Sequence, residues 1–129
     1  MLQIFLVAAG GAIGAVLRFM TGLIVVRVYG KSNVITGTVI ANIAGCFLVG
    51  ILFGLIYAKG LFHNDIILFI TTGVLGSYTT FSSFTLEFVR LAKSSLKKTF
   101  QYLFLQFIMA FGMVFLGYSL AQIFFGSAV

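Results

Sequence analysis

The stretch from Thr71 to Glu87, which reads TTGVLGSYTTFSSFTLE, carries side chains that could bind an ion at membrane depth. It is rich in hydroxyl groups, and two phenylalanines, Phe81 and Phe84, lie three residues apart within it. A phenyl ring has a negative face and a positive edge, so rings presented edge-on tolerate a small anion. Hydroxyls and amides replace the hydrogen bonds that such an anion loses with its water. The stretch therefore has the chemistry of an anion site.

The same stretch contains two glycines, Gly73 and Gly76, which permit backbone conformations that a helix does not use. The neighbouring hydroxyl side chains compete locally for backbone hydrogen bonds. We therefore predict that this helix is interrupted near residues 75–79. A break at bilayer depth frees carbonyl oxygens, and these oxygens suit a hard cation.

Two other apolar segments carry polar side chains at helical spacing. Thr38 and Asn42 are four residues apart and share a face. Asn42 offers amide donors, either to an anion or to a neighbouring helix as a structural hydrogen bond. In the last apolar segment, one stripe holds Tyr102, Gln106 and Ala110.

Charged residues within the apolar segments are few, and Arg18 has three possible roles. Arg18 could extend its charge to the membrane surface, pair with Glu87, or attract anions. His63 has no cysteine or second histidine nearby, so it and Asp65 are interpreted as loop surface, not as a metal site. With only two acidic residues and no nucleophile–base pair, the sequence excludes catalysis.

The elements that must position these side chains are transmembrane helices. Hydrophobic residues make up 61% of the chain and charged residues 8%, with a mean hydropathy of +1.20. A helix crosses the hydrocarbon core with about 20 residues. Small residues recur at four-residue spacing, as in Gly10–Gly14 and Gly50–Gly54, and predict close helix contacts. We predict an all-α membrane protein with one domain, residues 1–129, whose four helices cover about residues 2–28, 34–58, 66–91 and 99–125.

Three segments resemble the Fluc (CrcB) family of fluoride channels: GVLGSYTTFSSF in the third helix, GGAIGAVLRF in the first and GTVIANIAGCFLVG in the second. The resemblance covers all four helices. It implies a passive channel that exports fluoride from the cytoplasm, located in the bacterial plasma membrane. It also implies antiparallel, dual-topology dimers with two fluoride pores.

The resemblance also assigns roles to individual residues. Gly76 and Thr79 match positions whose backbone carbonyls hold a structural sodium ion between subunits. Family members often present serines farther along helix four, where this chain has Gln106 and Ala110. The expected fluoride pathway consists of Arg18, Thr38, Asn42, Phe81, Ser82, Ser83, Phe84 and Tyr102.

Two other functions compete with a fluoride channel. A small multidrug-type, proton-coupled transporter is also four-helical and dimeric, but it requires an acidic residue in the first helix. Here the first helix has Arg18 and no acid. The other alternative is a non-transporting subunit of a larger membrane assembly.

The distribution of basic residues bears on the dimer. The second loop holds Lys59, offset by Asp65. The positive-inside rule favours one orientation, in which the loop between helices one and two and the loop between helices three and four lie in the cytoplasm. An antiparallel homodimer instead requires the chain to insert in both orientations. We expect a homodimer, and the alternative is a heterodimer with an oppositely oriented family member. The other two loops and their edges carry Arg27, Lys31, Arg90, Lys93, Lys97 and Lys98.

Overall fold

The computed structural model describes residues 1–30, 34–59 and 63–126. Four helical stretches in it are long and apolar enough to cross a membrane, which confirms the prediction of an all-α protein with four transmembrane helices. Lys31 of the first loop lies outside the described residues. We refer to the stretches as spans one to four: Leu2–Tyr29, Gly37–Tyr57, Asn64–Ala92 and Leu96–Phe125.

Spans one and two are uniform α-helices, whereas spans three and four change helical type along their length. Helix α1 is Leu2–Tyr29 and helix α2 is Gly37–Lys59. Span three consists of α3 (Asn64–Leu68), a π-helical segment (Phe69–Leu75), α4 (Gly76–Tyr78) and α5 (Phe81–Ala92). Span four consists of α6 (Leu96–Phe104), a π-helical segment (Leu105–Met109) and α7 (Ala110–Phe125). Such π-helical turns often occur at functional sites.

Glycines bring the helices together in pairs, span one against span three and α2 against α7. A Cβ atom added at Gly10 would lie 2.7 Å from the carbonyl oxygen of Phe69. At Gly14 and Gly50, an added Cβ would meet a carbonyl of the facing helix, and at Gly54 it would lie 2.5 Å from the side chain of Ala121. The close contacts predicted from the small-residue spacing are therefore confirmed.

In the middle of span three, two threonines have extended backbones. Thr79 has φ −82° and ψ 155°, and Thr80 has φ −151° and ψ 128°, between the end of α4 and the start of α5. Gly76 has helical dihedrals, φ −62° and ψ −32°, and Gly73 lies within the π-helical segment. The extended residues thus follow the glycines instead of including them. Gly73 is used for packing, because its Cα faces Gly10 of α1.

A tight turn joins spans three and four. The backbone amides of Ser94 and Ser95 both donate to the carbonyl of Leu91, at 2.9 Å each. The Ser95 side chain caps the next helix by accepting from the amide of Lys98. Span four therefore begins at Leu96, because the serine cap starts the helix before the apolar run begins.

Candidate functional site

A cluster of aromatic rings surrounds Phe84, which is only 8% exposed. The ring of Tyr102 is nearly parallel to it at 5.8 Å, with an interplanar angle of 8°. Phe107 meets the Phe84 ring edge to face at 5.6 Å, and Phe88 lies at 6.2 Å. Phe81 is tilted against Phe84 at 5.3 Å but remains 75% exposed. The predicted phenylalanine pair is therefore in contact, with one ring enclosed by its own chain and the other largely uncovered.

Asn42 holds the extended backbone of span three. Its Nδ2 donates to the carbonyl oxygen of Thr80 at 3.1 Å, and its Oδ1 accepts from the amide of Thr80 at 2.9 Å. Both residues are buried. The amide replaces the partners that Thr80 would have in a continuous helix, which is the structural role considered for Asn42. One Nδ2 hydrogen has no part in this pairing, because a primary amide carries two.

The start of α5 is ordered by hydroxyl groups. The side-chain oxygen of Thr80 accepts from the amide of Ser83 at 3.3 Å, as an N-terminal cap. It also lies 3.1 Å from the hydroxyl of Ser82 and donates to the hydroxyl of Ser83 at 3.4 Å. The predicted serines Ser82 and Ser83 therefore lie beside Asn42 and Phe84 through their contacts with Thr80.

One cavity, about 550 Å³ and here called the first, is formed by spans two, three and four. Asn42, Phe81 and Phe84 line it, together with Gly76 and Thr79, the positions expected to hold sodium. None of the described residues that line it is charged.

Gln106 also lines the first cavity and is buried. In the described part of the chain, its Oε1 is the one buried side-chain oxygen or nitrogen without a hydrogen-bond partner. A buried polar atom without a partner is costly, by about 1–3 kcal/mol. The cavity thus contains an amide oxygen that is free to accept a hydrogen bond, next to Ala110 on the same stripe.

The second cavity, about 560 Å³, is formed by α1, the start of α2 and α5. Arg18 and Glu87 line it, as do the hydroxyl side chains Thr36, Thr38 and Ser83. The structure thus places the predicted residues in two groups. Phe81, Phe84 and Asn42 face one cavity, Arg18, Thr38 and Ser83 face the other, and α5 borders both.

The carboxylate of Glu87 accepts three hydroxyl hydrogen bonds. Thr36 and Tyr102 donate to Oε2 at 2.7 and 2.8 Å, and Thr38 donates to Oε1 at 2.8 Å. Among the described residues no ion pair joins Arg18 to this carboxylate within 4.0 Å. The structural Arg18–Glu87 pair is therefore not formed, because hydroxyl groups occupy the carboxylate instead.

Thr36 and Phe107 contribute to these arrangements, but the sequence did not single them out. Thr36 precedes the first residue of α2, Gly37, so helical periodicity gave no reason to place it beside Glu87. No local sequence pattern identifies it, because Glu87 lies 51 residues farther along the chain. Phe107 is one of 16 phenylalanines, and only its edge contact with Phe84 distinguishes it.

The sequence profile of the family described as CrcB-like protein, Camphor Resistance (CrcB) matches residues 5–118. The fluoride-specific ion channel FluC of Azobacteroides pseudotrichonymphae genomovar. CFP2 is 40% identical over 123 residues, which cover 95% of this chain and 98% of that protein. The protein of the same name from Agrobacterium fabrum is 39% identical, with the same coverage. The fluoride-specific ion channel FluC 1 of Staphylococcus haemolyticus is 37% identical over 93% of this chain and the whole of its own length. The chain therefore belongs to the CrcB family.

Proposed function

We propose that this chain forms a fluoride-selective channel that lets fluoride leave the cytoplasm passively, and that it is not an enzyme. The observation that carries the proposal is the uncharged cavity in which Phe81 and Phe84 lie beside the Asn42 amide. Ring edges and a single free amide hydrogen favour a small anion that accepts hydrogen bonds strongly. The names of the relatives support the choice of fluoride.

In this proposal the anion passes along α5. Arg18 attracts it into the second cavity, past Thr38, whose hydroxyl donates to Glu87, and the hydroxyl of Ser83 replaces part of its hydration. The anion then passes Ser82, whose hydroxyl lies 3.1 Å from that of Thr80, and meets Phe81 and Phe84 in the first cavity. Tyr102 orients the Phe84 ring by stacking on it.

Gln106 and Ala110 stand where other family members often present serine. We propose that the unpaired Oε1 of Gln106 accepts a hydrogen bond from water that accompanies the anion in the first cavity, whereas the small side chain of Ala110 leaves space there. The buried position of this oxygen and its lack of a partner among the described residues support this role.

We propose that a structural sodium ion binds to backbone oxygen atoms beside the extended backbone. Gly76 and Thr79 both line the first cavity, and the ψ angle of 155° at Thr79 turns its carbonyl out of the helical direction. Backbone carbonyls are suitable ligands for a hard cation. Sodium bound there would link two subunits and supply a fixed positive charge, and it would not itself be transported.

The exposed ring of Phe81 at the wall of the first cavity is available to a partner subunit, because the chain alone leaves most of that ring uncovered. We propose an antiparallel, dual-topology homodimer in the bacterial plasma membrane, multi-pass and surrounded by lipid. The alternative is a heterodimer with an oppositely oriented family member.

Flux through vesicles that contain only this purified chain tests the function. The expected result is rapid fluoride efflux without proton coupling, with chloride efflux from matched vesicles at the level of protein-free controls. Comparable chloride flux would contradict selectivity for fluoride, and flux driven by a proton gradient would favour the multidrug-type transporter. A folded protein with no flux of either anion would favour the assembly subunit.

A further inference from the structure

The turn between spans three and four carries four basic residues within nine positions: Arg90, Lys93, Lys97 and Lys98. Three of them are exposed and Lys98 is half-buried. In the described part of the chain, none of their charged groups lies within 4.0 Å of a carboxylate. This holds even for Arg90, which is one helical turn after Glu87, because that carboxylate is bonded to three hydroxyls.

Exposed apolar side chains lie beside these cations. Leu96 and Phe100 are four residues apart on α6, and each is 73% exposed. Thr99 and Tyr102 are buried on the inner side of the same helix, so the exposed side combines apolar groups with Lys97. Because the turn joins two membrane spans, it lies where the headgroups meet the hydrocarbon.

We propose that this turn binds an anionic phospholipid. The phosphate of the headgroup is bound by the four cations, and an acyl chain lies against Leu96 and Phe100. The proposed lipid site lies on the outer surface of the molecule, so lipid binding does not depend on the fluoride pathway.

Charge balance argues against a second copy of this chain as the occupant. The chain has two acidic residues against eight Lys and Arg, a net charge of +6. Glu87 is already engaged. The one acidic side chain that an antiparallel copy could bring to this side of the membrane is Asp65, against four cations. The membrane itself supplies the missing negative charge, and each basic residue near an anionic surface contributes about 1 kcal/mol.

Lipid titration of the delipidated protein, followed by native mass spectrometry, tests the proposal. Phosphatidylglycerol and phosphatidylcholine with identical acyl chains are compared. We expect tighter binding of phosphatidylglycerol, with a preference that weakens as salt is raised. Lys93→Gln and Lys97→Gln should each reduce that preference about fivefold.

Arg27→Gln is the matched control, because Arg27 is exposed, ends α1 and lies on the same side of the membrane outside this turn. It should leave the preference unchanged. The double variant Leu96→Ser with Phe100→Ser should weaken the binding of both lipids while retaining the preference for the anionic one. Millimolar inorganic phosphate should not displace the lipid, since it lacks the acyl chains.

Three results would overturn the proposal. They are equal affinity for the two lipids, an equal loss of the preference for phosphatidylglycerol in Arg27→Gln and in Lys97→Gln, and displacement of the lipid by inorganic phosphate. The first would mean that the cations serve only to orient the chain during insertion. The second would indicate general surface charge, and the third a site for small anions. Size-exclusion profiles that match the original protein establish that the variants are folded.

Discussion

At the scale of single residues, the two phenylalanines of the motif have different surroundings and should respond differently to mutation. Phe81→Ile removes an aromatic ring from the wall of the first cavity but disturbs little packing, because the ring is 75% exposed. We expect fluoride efflux to fall at least tenfold with a thermal midpoint close to the original. Phe84→Ile should reduce both, since it loses contacts with three other rings besides Phe81.

Phe115→Ile is the control for this pair, because Phe115 is equally exposed and lines neither cavity. Its efflux should match that of the original chain. Unchanged efflux in Phe81→Ile would show that the ring serves only packing.

Asn42 should contribute to stability as well as to flux. Asn42→Ala leaves the buried amide and carbonyl of Thr80 without their partners. We expect the free energy of unfolding to fall by about 2–6 kcal/mol, because two buried groups lose their partners and each costs about 1–3 kcal/mol. Denaturant unfolding in detergent measures the change, and vesicle efflux should fall in parallel. A variant with original stability and no flux would assign Asn42 to the anion alone.

The sequence indicated which residue types matter but not all of their partners. Phe81 and Phe84 could be selected because their spacing places them on one helix face beside hydroxyls. The partners of Glu87 could not be predicted, because they come from the start of α2 and from span four. Residues so far apart in the chain meet only through tertiary packing.

At the scale of helices, glycine contacts determine how span one packs on span three. Gly10→Ala places a methyl group 2.7 Å from the carbonyl oxygen of Phe69, and backbone atoms cannot move aside cheaply. We expect a loss of about 1–3 kcal/mol in the free energy of unfolding.

Gly11→Ala provides the comparison one residue along. An added Cβ at Gly11 meets nothing within 4 Å, so the change should be neutral, or stabilising by less than about 1 kcal/mol through helix propensity. Equal destabilisation by the two substitutions would contradict the close contact.

The four spans could be predicted from hydropathy, because the thickness of the bilayer sets the length of an apolar helix. The position of the extended backbone was harder to predict. Glycine permits non-helical dihedrals but does not require them, and Gly76 remains helical. Thr80 is extended where Asn42 of another helix supplies replacement hydrogen bonds, and that pairing has no local sequence pattern.

At the scale of the whole molecule, the distribution of basic residues between the loops should affect the direction in which the chain inserts into the membrane. The two basic loops lie on one side, and a homodimer of antiparallel subunits requires both orientations. If the homodimer forms, the chain expressed alone should give fluoride flux, and labelling of an engineered terminal cysteine should divide between the two membrane faces. Cys46 is first replaced by serine, so that only the terminal thiol reacts.

Labelling from one face only, with no flux until an oppositely oriented family member is added, would assign the heterodimer. If the chain forms the homodimer, replacing Lys93 and Lys97 by glutamine should increase the fraction of chains with these loops outside the cytoplasm. The reason is that the change reduces the charge difference between the two sides of the chain.

The pairing of Asn42 with Thr80 also limits how the length of the chain can vary. Each added residue in an α-helix turns everything beyond it by about 100° and advances it by about 1.5 Å. One insertion between Gly37 and Asn42 would therefore point the amide away from Thr80, however conservative the inserted residue. An insertion at the ends of the chain leaves that register intact. Viable length variants of this protein should accordingly differ at the termini, and the first turns of α2 should keep their residue count.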